Sequence, residues 1–271
     1  MTQHGAAEAN LDRDWWLRTL AIFQAPRAVF AALRSDDSAD AEARQEPVLA
    51  LVLLAGMAGV LVAPSTGRLL NESIVDNSMA VVAVLIFIQG GLYGAATYWL
   101  GGAALYVGLR GAGSRGRYLR ARHILAFAAA PLILGLIFVW PVRYAIYGSD
   151  LFRTGGSDTG AGNVVFEAIL AAIGLWSVGL VVYGISVVER WSLVRASVAL
   201  ALPQALHAGH EAYKRGADAL DAARTILAGE PKLHAEYVEL AQLDGRVYLL
   251  AAARVGRTRL IDNVVLEGDP L

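Results

Sequence analysis

Four long stretches of this chain contain almost no charged residue, and this feature restricts its fold more than any other. They are residues 47–64, 79–109, 124–146 and 164–188. A helix needs about 20 mostly apolar residues to cross the hydrocarbon core of a bilayer. Because lipid offers the backbone no hydrogen-bond partner, such stretches must be helical. The sequence therefore predicts an all-α membrane protein with about four transmembrane helices.

Arginines lie on alternate sides of these stretches. Five precede the first stretch and five lie within residues 110–122, whereas the other two loops hold only Arg68 and Arg153. Arginine-rich loops remain in the cytoplasm. We therefore expect both termini and the loop after the second stretch on the cytoplasmic side, with residues 65–78 and 147–163 outside.

The segment ahead of the first stretch combines aromatic residues with arginines. Its first part can form a helix with an aromatic face, and Pro26 can start a second short helix. Aromatic residues beside arginines suit the lipid headgroup layer. We expect a cytoplasmic segment, residues 1–46, with an amphipathic helix at the membrane interface; filling a groove on a partner is the alternative. The candidate interface residues are Trp15, Trp16, Phe23 and Phe30.

Glycines are concentrated in the second stretch, at Gly90, Gly91, Gly94, Gly101 and Gly102. Small residues let membrane helices approach closely, so we expect these glycines to pack against helices of the same bundle, with a dimer interface as the alternative. If this stretch lined a path for a small solute, we would expect transport that is not coupled to an ion. Ion-coupled transport usually needs an ionisable group inside the membrane, and no Asp, Glu or Lys lies near the middle of a stretch.

Three motifs occur in order around the apolar region. They are Ile22-Phe23-x-x-Pro26-Arg27-x-x-Phe30-x-x-Leu33, then Gln45-Glu46-Pro47, and then Tyr183-Gly184-Ile185-Ser186 followed by Trp191-Ser192-x-x-Arg195-Ala196. Over residues 11–196 this arrangement resembles the YIP (Ypt-interacting protein) domain family. The resemblance implies a multi-pass protein of the bacterial inner membrane, with relatives in eukaryotes that act in vesicle traffic with small GTPases. Family members typically have five spans; here the fifth apolar segment, 197–206, is too short to cross.

The composition changes near residue 199 to that of a soluble domain. Residues 204–228 carry apolar side chains at helical spacing and predict one helix. Three strand candidates follow, at 236–241, 247–254 and 258–266. Asp244-Gly245 predicts a hairpin turn, and Gly256 marks the second turn. The segment 197–271 is therefore expected to be a small cytoplasmic α+β domain, a helix with a three-stranded antiparallel sheet.

The run Ala251-Ala252-Ala253-Arg254-Val255-Gly256-Arg257-Thr258-Arg259-Leu260-Ile261-Asp262-Asn263 is the most specific string in the chain. With Arg215-Gly216-Ala217 and Tyr237-Val238-Glu239-Leu240, it resembles the C-terminal domain of pantothenate synthetase (pantoate–β-alanine ligase) over residues 199–271. The resemblance implies a lid-like domain that, in that family, closes over an ATP-binding Rossmann domain. The family activates pantoate with ATP and transfers it to β-alanine. No counterpart of the Rossmann domain is recognisable in this sequence.

His207-Ala208-Gly209-His210 spells the His-x-Gly-His phosphate motif of that enzyme superfamily. The motif binds phosphate only where a strand turns into the N-terminus of a helix. His207 and His210 are thus candidate cofactor-binding residues, and a position inside the tail helix is the competing interpretation. We expect no catalytic residue, metal site or cofactor. The chain has no Cys and no P-loop or catalytic triad.

These features predict a non-enzymatic scaffold or partner-docking protein. Its expected partners are the lipid bilayer, a cytoplasmic protein and a second copy of itself. A net charge of −1 gives no basis for nucleic-acid binding. One alternative is a role in pantothenate biosynthesis, with the ligase-like tail acting with a separate ATP-binding domain; a fusion tail without a role and an uncoupled small-solute channel are the others.

Overall fold

The computed structural model describes residues 13–35, 38–62, 79–152, 161–229, 234–255 and 258–267. Residues 65–78, predicted to lie outside the membrane, and the predicted turn at Gly256 fall outside the described residues. The chain forms two compact units, Met1–Gly102 with Arg122–Gly184, and Ala103–Ala121 with Ile185–Leu271. The boundary at residues 196 and 197 that composition suggests falls inside the second unit.

The first part of the chain forms short helices. Helix α1 covers residues 13–20 and continues into a 3₁₀ turn, Ala21–Phe23; helix α2 is Pro26–Ala32. Pro26 occupies the first turn of α2, where its missing N–H has no helical partner in any case. A further short helix, Ser38–Ala43, overlaps the start of the first long helix.

Within the described residues, four helices are long and apolar enough to cross a membrane. They are α3 (Ala41–Val62), α4 (Ala80–Gly111), α5 (Tyr118–Tyr147) and α6 (Gly162–Glu189). The prediction of four apolar helices is confirmed. Helix α4 contains a π-helical turn at Thr97–Gly101, and α5 contains one at Gly135–Val139, between its two prolines. Such turns let a helix absorb a local irregularity without ending. A 3₁₀ turn, Gly148–Phe152, follows α5.

Helices α3 and α4 meet through glycine. A side chain on Gly56 would overlap the carbonyl oxygen of Gly90, and one on Gly94 would overlap the carbonyl oxygen of Val52. A Cβ on Gly90 would lie 2.7 Å from the Cα of Met57. The two backbones are therefore in direct contact, which only glycine permits.

The other three glycines of α4 have different surroundings. A Cβ on Gly91 would meet only Leu53 Cδ1, at 3.6 Å, and one on Gly101 would lie 3.2 Å from Leu125 Cδ2. Gly102 lies beneath the side chain of Arg122, whose Cα would be 3.3 Å from an added Cβ. All these contacts lie within the chain, and whether the glycines also serve a dimer interface stays a prediction.

The tail contains two helices rather than the single helix predicted over 204–228. Helix α7 is Leu193–Lys214 and α8 is Ala219–Ala228. Between them Gly216 adopts a left-handed conformation with φ of +71°. The carboxylate of Asp218 then accepts the backbone N–H groups of Leu220 and Asp221, which starts α8. The single-helix prediction is wrong because apolar periodicity continues across this capped break.

Three strands form one antiparallel sheet in the order β1-β2-β3. They are β1 (His234–Leu243), β2 (Arg246–Val255) and β3 (Thr258–Glu267), which confirms the predicted sheet. Asp244 and Gly245 have φ of +51° and +75°, as a two-residue hairpin turn requires. Helices α7 and α8 pack on one face of this sheet.

The start of α7 is joined to the loop between α4 and α5 within the second unit. An Arg195 Nη donates to the carbonyl oxygen of Ala112 at 2.7 Å, and its guanidinium lies 4.1 Å from the centre of the Trp191 ring. The side chain of Ser192 accepts the Arg195 N–H. These bonds join residues on both sides of the change in composition within the second unit.

Replacing Gly94 with alanine should lower the stability of the membrane helices by about 1–3 kcal/mol relative to Gly91→Ala, because the new methyl group must push α3 and α4 apart. Both variants gain the same helix propensity, so their difference isolates the contact. Thermal unfolding of the detergent-purified chain measures it. Equal melting temperatures for the two variants would contradict the packing described.

Candidate functional site

The tail sheet has one face buried against its helices. Leu249, Ala251 and Ala253 of β2 are fully buried. Side chains alternate along a strand, so Tyr248, Leu250 and Arg254 belong to the opposite face, together with Ala252, which is also fully buried. The strand register places these residues beside neighbours on β1 and β3. Ile261 of β3 lies on the same face and is half exposed.

Two arginines on that face hold one carboxylate. Arg254 on β2 and Arg259 on β3 are cross-strand neighbours. Their Nε atoms donate to the two carboxylate oxygens of Glu236 at 2.7 and 2.5 Å. About half of each arginine side chain remains exposed. The cluster has two positive charges and one negative charge, so it carries one net positive charge.

The position of Glu236 depends on an irregularity in the sheet. The register between β1 and β2 shifts between Ala235 and Tyr237, which leaves Glu236 in a bulge and directs it toward the arginines. The hydrogen bonds from Arg254 and Arg259 hold the pKa of Glu236 below its ordinary value. Glu236 is not recognisable from the sequence as a site residue, because nothing in the pattern of β1 reveals the bulge.

Two further acidic residues of β3 have altered surroundings. Burial raises the pKa of Asp262, although the backbone N–H of Asn263 donates to its carboxylate at 2.9 Å. The Tyr213 hydroxyl of α7 donates to Glu267 at 2.8 Å, and this bond raises the pKa of Tyr213. The bond from Tyr213 joins the end of β3 to α7, whereas the bond to Asp262 is local to β3.

The His-x-Gly-His motif lies in the second half of α7 and does not itself start a helix. His207 is exposed and His210 is partly buried. Gly209 lies directly against Leu249, and an added Cβ would be 2.9 Å from the carbonyl oxygen of Ala219. The phosphate motif needs a strand that turns into the N-terminus of a helix at the motif itself, whereas His207 and His210 lie inside a continuous helix, so the structure does not form that geometry. The glycine is explained by packing of α7 on the sheet.

Two of the four candidate interface residues are enclosed by protein. Trp15 and Phe30 are fully buried, so the prediction that their rings contact lipid headgroups is wrong for these two. Trp15 packs 6.0 Å from the ring of Phe127, and the ring of Phe30 lies 2.7 Å from a Cβ built on Gly184. Composition could not distinguish a ring at the membrane interface from a ring in the protein core, since an aromatic ring beside arginine suits either environment.

Trp16 and Phe23 differ from those two residues because both remain partly exposed. Their exposed fractions are 41% and 37%. Phe23 also makes an edge contact with Trp176 of α6, with the ring centres 5.8 Å apart. A role of Trp16 and Phe23 at the membrane interface stays a prediction.

A polar network joins α5 to α6 that sequence analysis missed. Arg143, which is buried, donates to Asn163 at 2.5 Å, and Asn163 donates to Glu167 at 2.7 Å. The Arg143 guanidinium also lies 4.8 Å from the centre of the Trp140 ring. Asn163 and Glu167 are one helical turn apart at the start of the fourth stretch. This spacing is the sequence signal that could have indicated the network.

Four helices of membrane length, joined to a tail of two helices and three strands, define a multi-pass membrane protein with a small α+β tail. The Yip1 domain model matches residues 20–208, which is more than half of the chain. The chain therefore belongs to the Yip1 domain family, and the resemblance to YIP proteins is confirmed.

The second resemblance is confirmed by curated relatives. The chain is 51% identical over 80 residues to a pantothenate synthetase of Saccharopolyspora erythraea, which covers 26% of each chain. It is 45% identical over 75 residues to that of Mycolicibacterium smegmatis, covering 25% of this chain and 24% of the relative. A bifunctional pantoate ligase/cytidylate kinase of Gloeobacter violaceus is 43% identical over 88 residues, covering 28% and 17%. The chain thus spans about a quarter of the length of the pantothenate synthetases that it matches.

Replacing Gly209 with alanine should destabilise the tail by about 1–3 kcal/mol, because the methyl group would collide with Leu249 and with the α8 backbone. His207→Ala, in the same motif but exposed, should change stability by no more than about 0.5 kcal/mol. Thermal unfolding of both variants measures this. A larger loss from His207→Ala than from Gly209→Ala would contradict the packing role of the motif.

The stability of the tail should fall in acid because of Glu236. Its pKa is lowered in the fold, so its contribution is full above the ordinary Glu value of about 4.3 and is lost as the pH falls through the lower folded value. The gap in melting temperature between wild type and Glu236→Gln should therefore narrow between pH 7 and pH 3. Glu239→Gln, on the same strand, is the control. A gap that stays constant down to pH 3 would show that the arginine pair does not hold this carboxylate.

Proposed function

We propose that this chain is a docking protein of the bacterial inner membrane that presents its tail to a soluble protein in the cytoplasm. Both termini lie on the cytoplasmic side in this proposal. The observation that carries it is the sheet face opposite α7 and α8, where the half-exposed Arg254 and Arg259 stand beside Ile261. Arginine and large apolar side chains dominate the energetics of protein interfaces.

The charge of this face indicates the kind of partner. Glu236 offsets one of the two arginines, so the pair retains one positive charge toward solvent. A partner with a carboxylate near an apolar patch would complement both the arginines and Ile261. Because Glu236 holds the two guanidiniums in place before binding, little side-chain entropy would be lost on association.

A second function is favoured by the pantothenate synthetase relatives. The tail would act in pantothenate biosynthesis by completing a separate ATP-binding domain, and would bring that synthesis to the membrane. Support comes from the 51% identity over 80 residues to a protein with that name. The tail makes up about a quarter of such a protein, so in this proposal the remaining parts come from another chain.

Site-specific crosslinking in cells tests the docking proposal. A photoreactive residue at position 261 should capture a discrete protein, whereas one at position 225, which is exposed on α8, should not. Arg254→Glu should reduce the captured product at least about fivefold, because a buried interface charge is reversed. Capture that is equal at both positions, or unchanged by Arg254→Glu, would contradict docking through this face.

Enzyme assays test the second function. The purified chain alone should form no pantothenate from pantoate, β-alanine and ATP. Addition of a pantothenate synthetase lacking its C-terminal domain should restore synthesis if the tail completes that enzyme, and Arg259→Ala should then weaken the restoration. Pantothenate formed by the chain alone would contradict the non-enzymatic docking role, and failure of restoration would exclude the second function.

A further inference from the structure

The first unit contains a cavity of about 150 Å³ among α3, α4 and α5. Its walls are almost entirely apolar and include Gly56 and Gly59 on α3, Tyr93 and Tyr98 on α4, and Ala129 on α5. Apolar cavities of about this size exclude water and accept hydrocarbon. In a helix bundle surrounded by lipid, a hydrocarbon chain is the group available to fill it.

Arginine side chains lie near the cavity, within the first unit. Arg122, near the start of α5, places its guanidinium 4.9 Å from the centre of the Tyr98 ring. Arg18 of α1 and Arg44 of α3 lie 4.9 and 5.5 Å from the centre of the Trp15 ring. Basic pockets between membrane helices bind the headgroups of anionic lipids.

His123 lies near these arginines and is fully buried. Its ring stacks on Tyr98 with the centres 6.5 Å apart, and the charges of Arg44 and Arg122 act on it. Neither ring nitrogen has a hydrogen-bond partner among the described residues. Buried polar groups are normally hydrogen-bonded, so the ring can still donate an N–H to a group that binds beside it.

Tyr98 connects the two features, since it lines the cavity and contacts both Arg122 and His123. Along α5, Ala129 follows Arg122 by about two turns, or roughly 10 Å of helix. The bare backbone at Gly102 lets the stem of Arg122 cross α4. Arg122 and the cavity therefore follow one another along α5, in the same order as the headgroup and the acyl chain of a lipid.

We propose that the first unit binds one anionic phospholipid, with its phosphate at Arg122 and an acyl chain in the cavity beyond Tyr98. Arg122 is partly exposed and can reach the phosphate directly. Arg44 is buried and contributes positive potential rather than direct contact. This inference is independent of the docking function, because it involves only residues of the first unit.

Native mass spectrometry of the full-length, delipidated protein tests the site. After incubation with equal amounts of dioleoyl phosphatidylglycerol and dioleoyl phosphatidylcholine, the protein should retain phosphatidylglycerol with at least about a fivefold preference, as one arginine contact predicts. Dihexanoyl phosphatidylglycerol should bind much more weakly than the dioleoyl lipid, because a six-carbon chain that starts from a phosphate at Arg122 has little length left to enter the cavity roughly 10 Å further along α5. Inorganic phosphate should not displace the dioleoyl lipid. Equal retention of both headgroups, equal binding of both chain lengths, or displacement by phosphate would each overturn the proposal.

Matched variants locate the site. Arg122→Gln should abolish the headgroup preference, whereas Arg115→Gln, the same change at an exposed loop position, should keep it. Ala129→Leu fills the cavity and should reduce retention of the dioleoyl lipid, whereas Ala168→Leu on the exposed side of α6 should not. Equal effects within either pair would place the bound lipid elsewhere and overturn the assignment. If Ala129→Leu does not fold, the comparison of lipid chain lengths in the wild-type protein still tests whether an acyl chain occupies the cavity.

Discussion

The backbone contact between α3 and α4 is the interaction on which the first unit depends. Lipid removes the hydrophobic driving force between helices, so close packing has to hold them together. Gly56, Gly90 and Gly94 bring the two backbones together without intervening side chains. The cavity beside them is built on the same pair of helices and on α5.

The second unit combines two sequence relationships in one piece of structure. The Yip1 domain match ends at residue 208, inside α7, and the pantothenate synthetase relatives match about a quarter of the chain. The first part of α7 thus lies within the Yip1 domain match, and its end packs on the sheet, with Gly209 against Leu249. The bond from Arg195 to Ala112 joins its start to the α4–α5 loop.

Much of the fold follows from the sequence because the deciding signals are local. The absence of charge defines four helices, and Asp244-Gly245 with the flanking strands defines the hairpin. The sequence predictions were wrong where the same residue pattern is compatible with two different structures. Trp15 suits both a headgroup layer and a protein core, and the helical periodicity across Gly216 hides the cap at Asp218. Glu236 joins the arginine pair only because of a register shift, which no local pattern reveals.

The chain contains no cysteine, so single introduced cysteines can report its position in the membrane without a background signal. In spheroplasts treated with a membrane-impermeant maleimide, Ser149→Cys after α5 should be labelled. Thr225→Cys on α8 should react only after the membrane is broken. Labelling of Thr225→Cys in intact spheroplasts, or recovery of the protein in the soluble fraction, would contradict a four-helix membrane protein with a cytoplasmic tail.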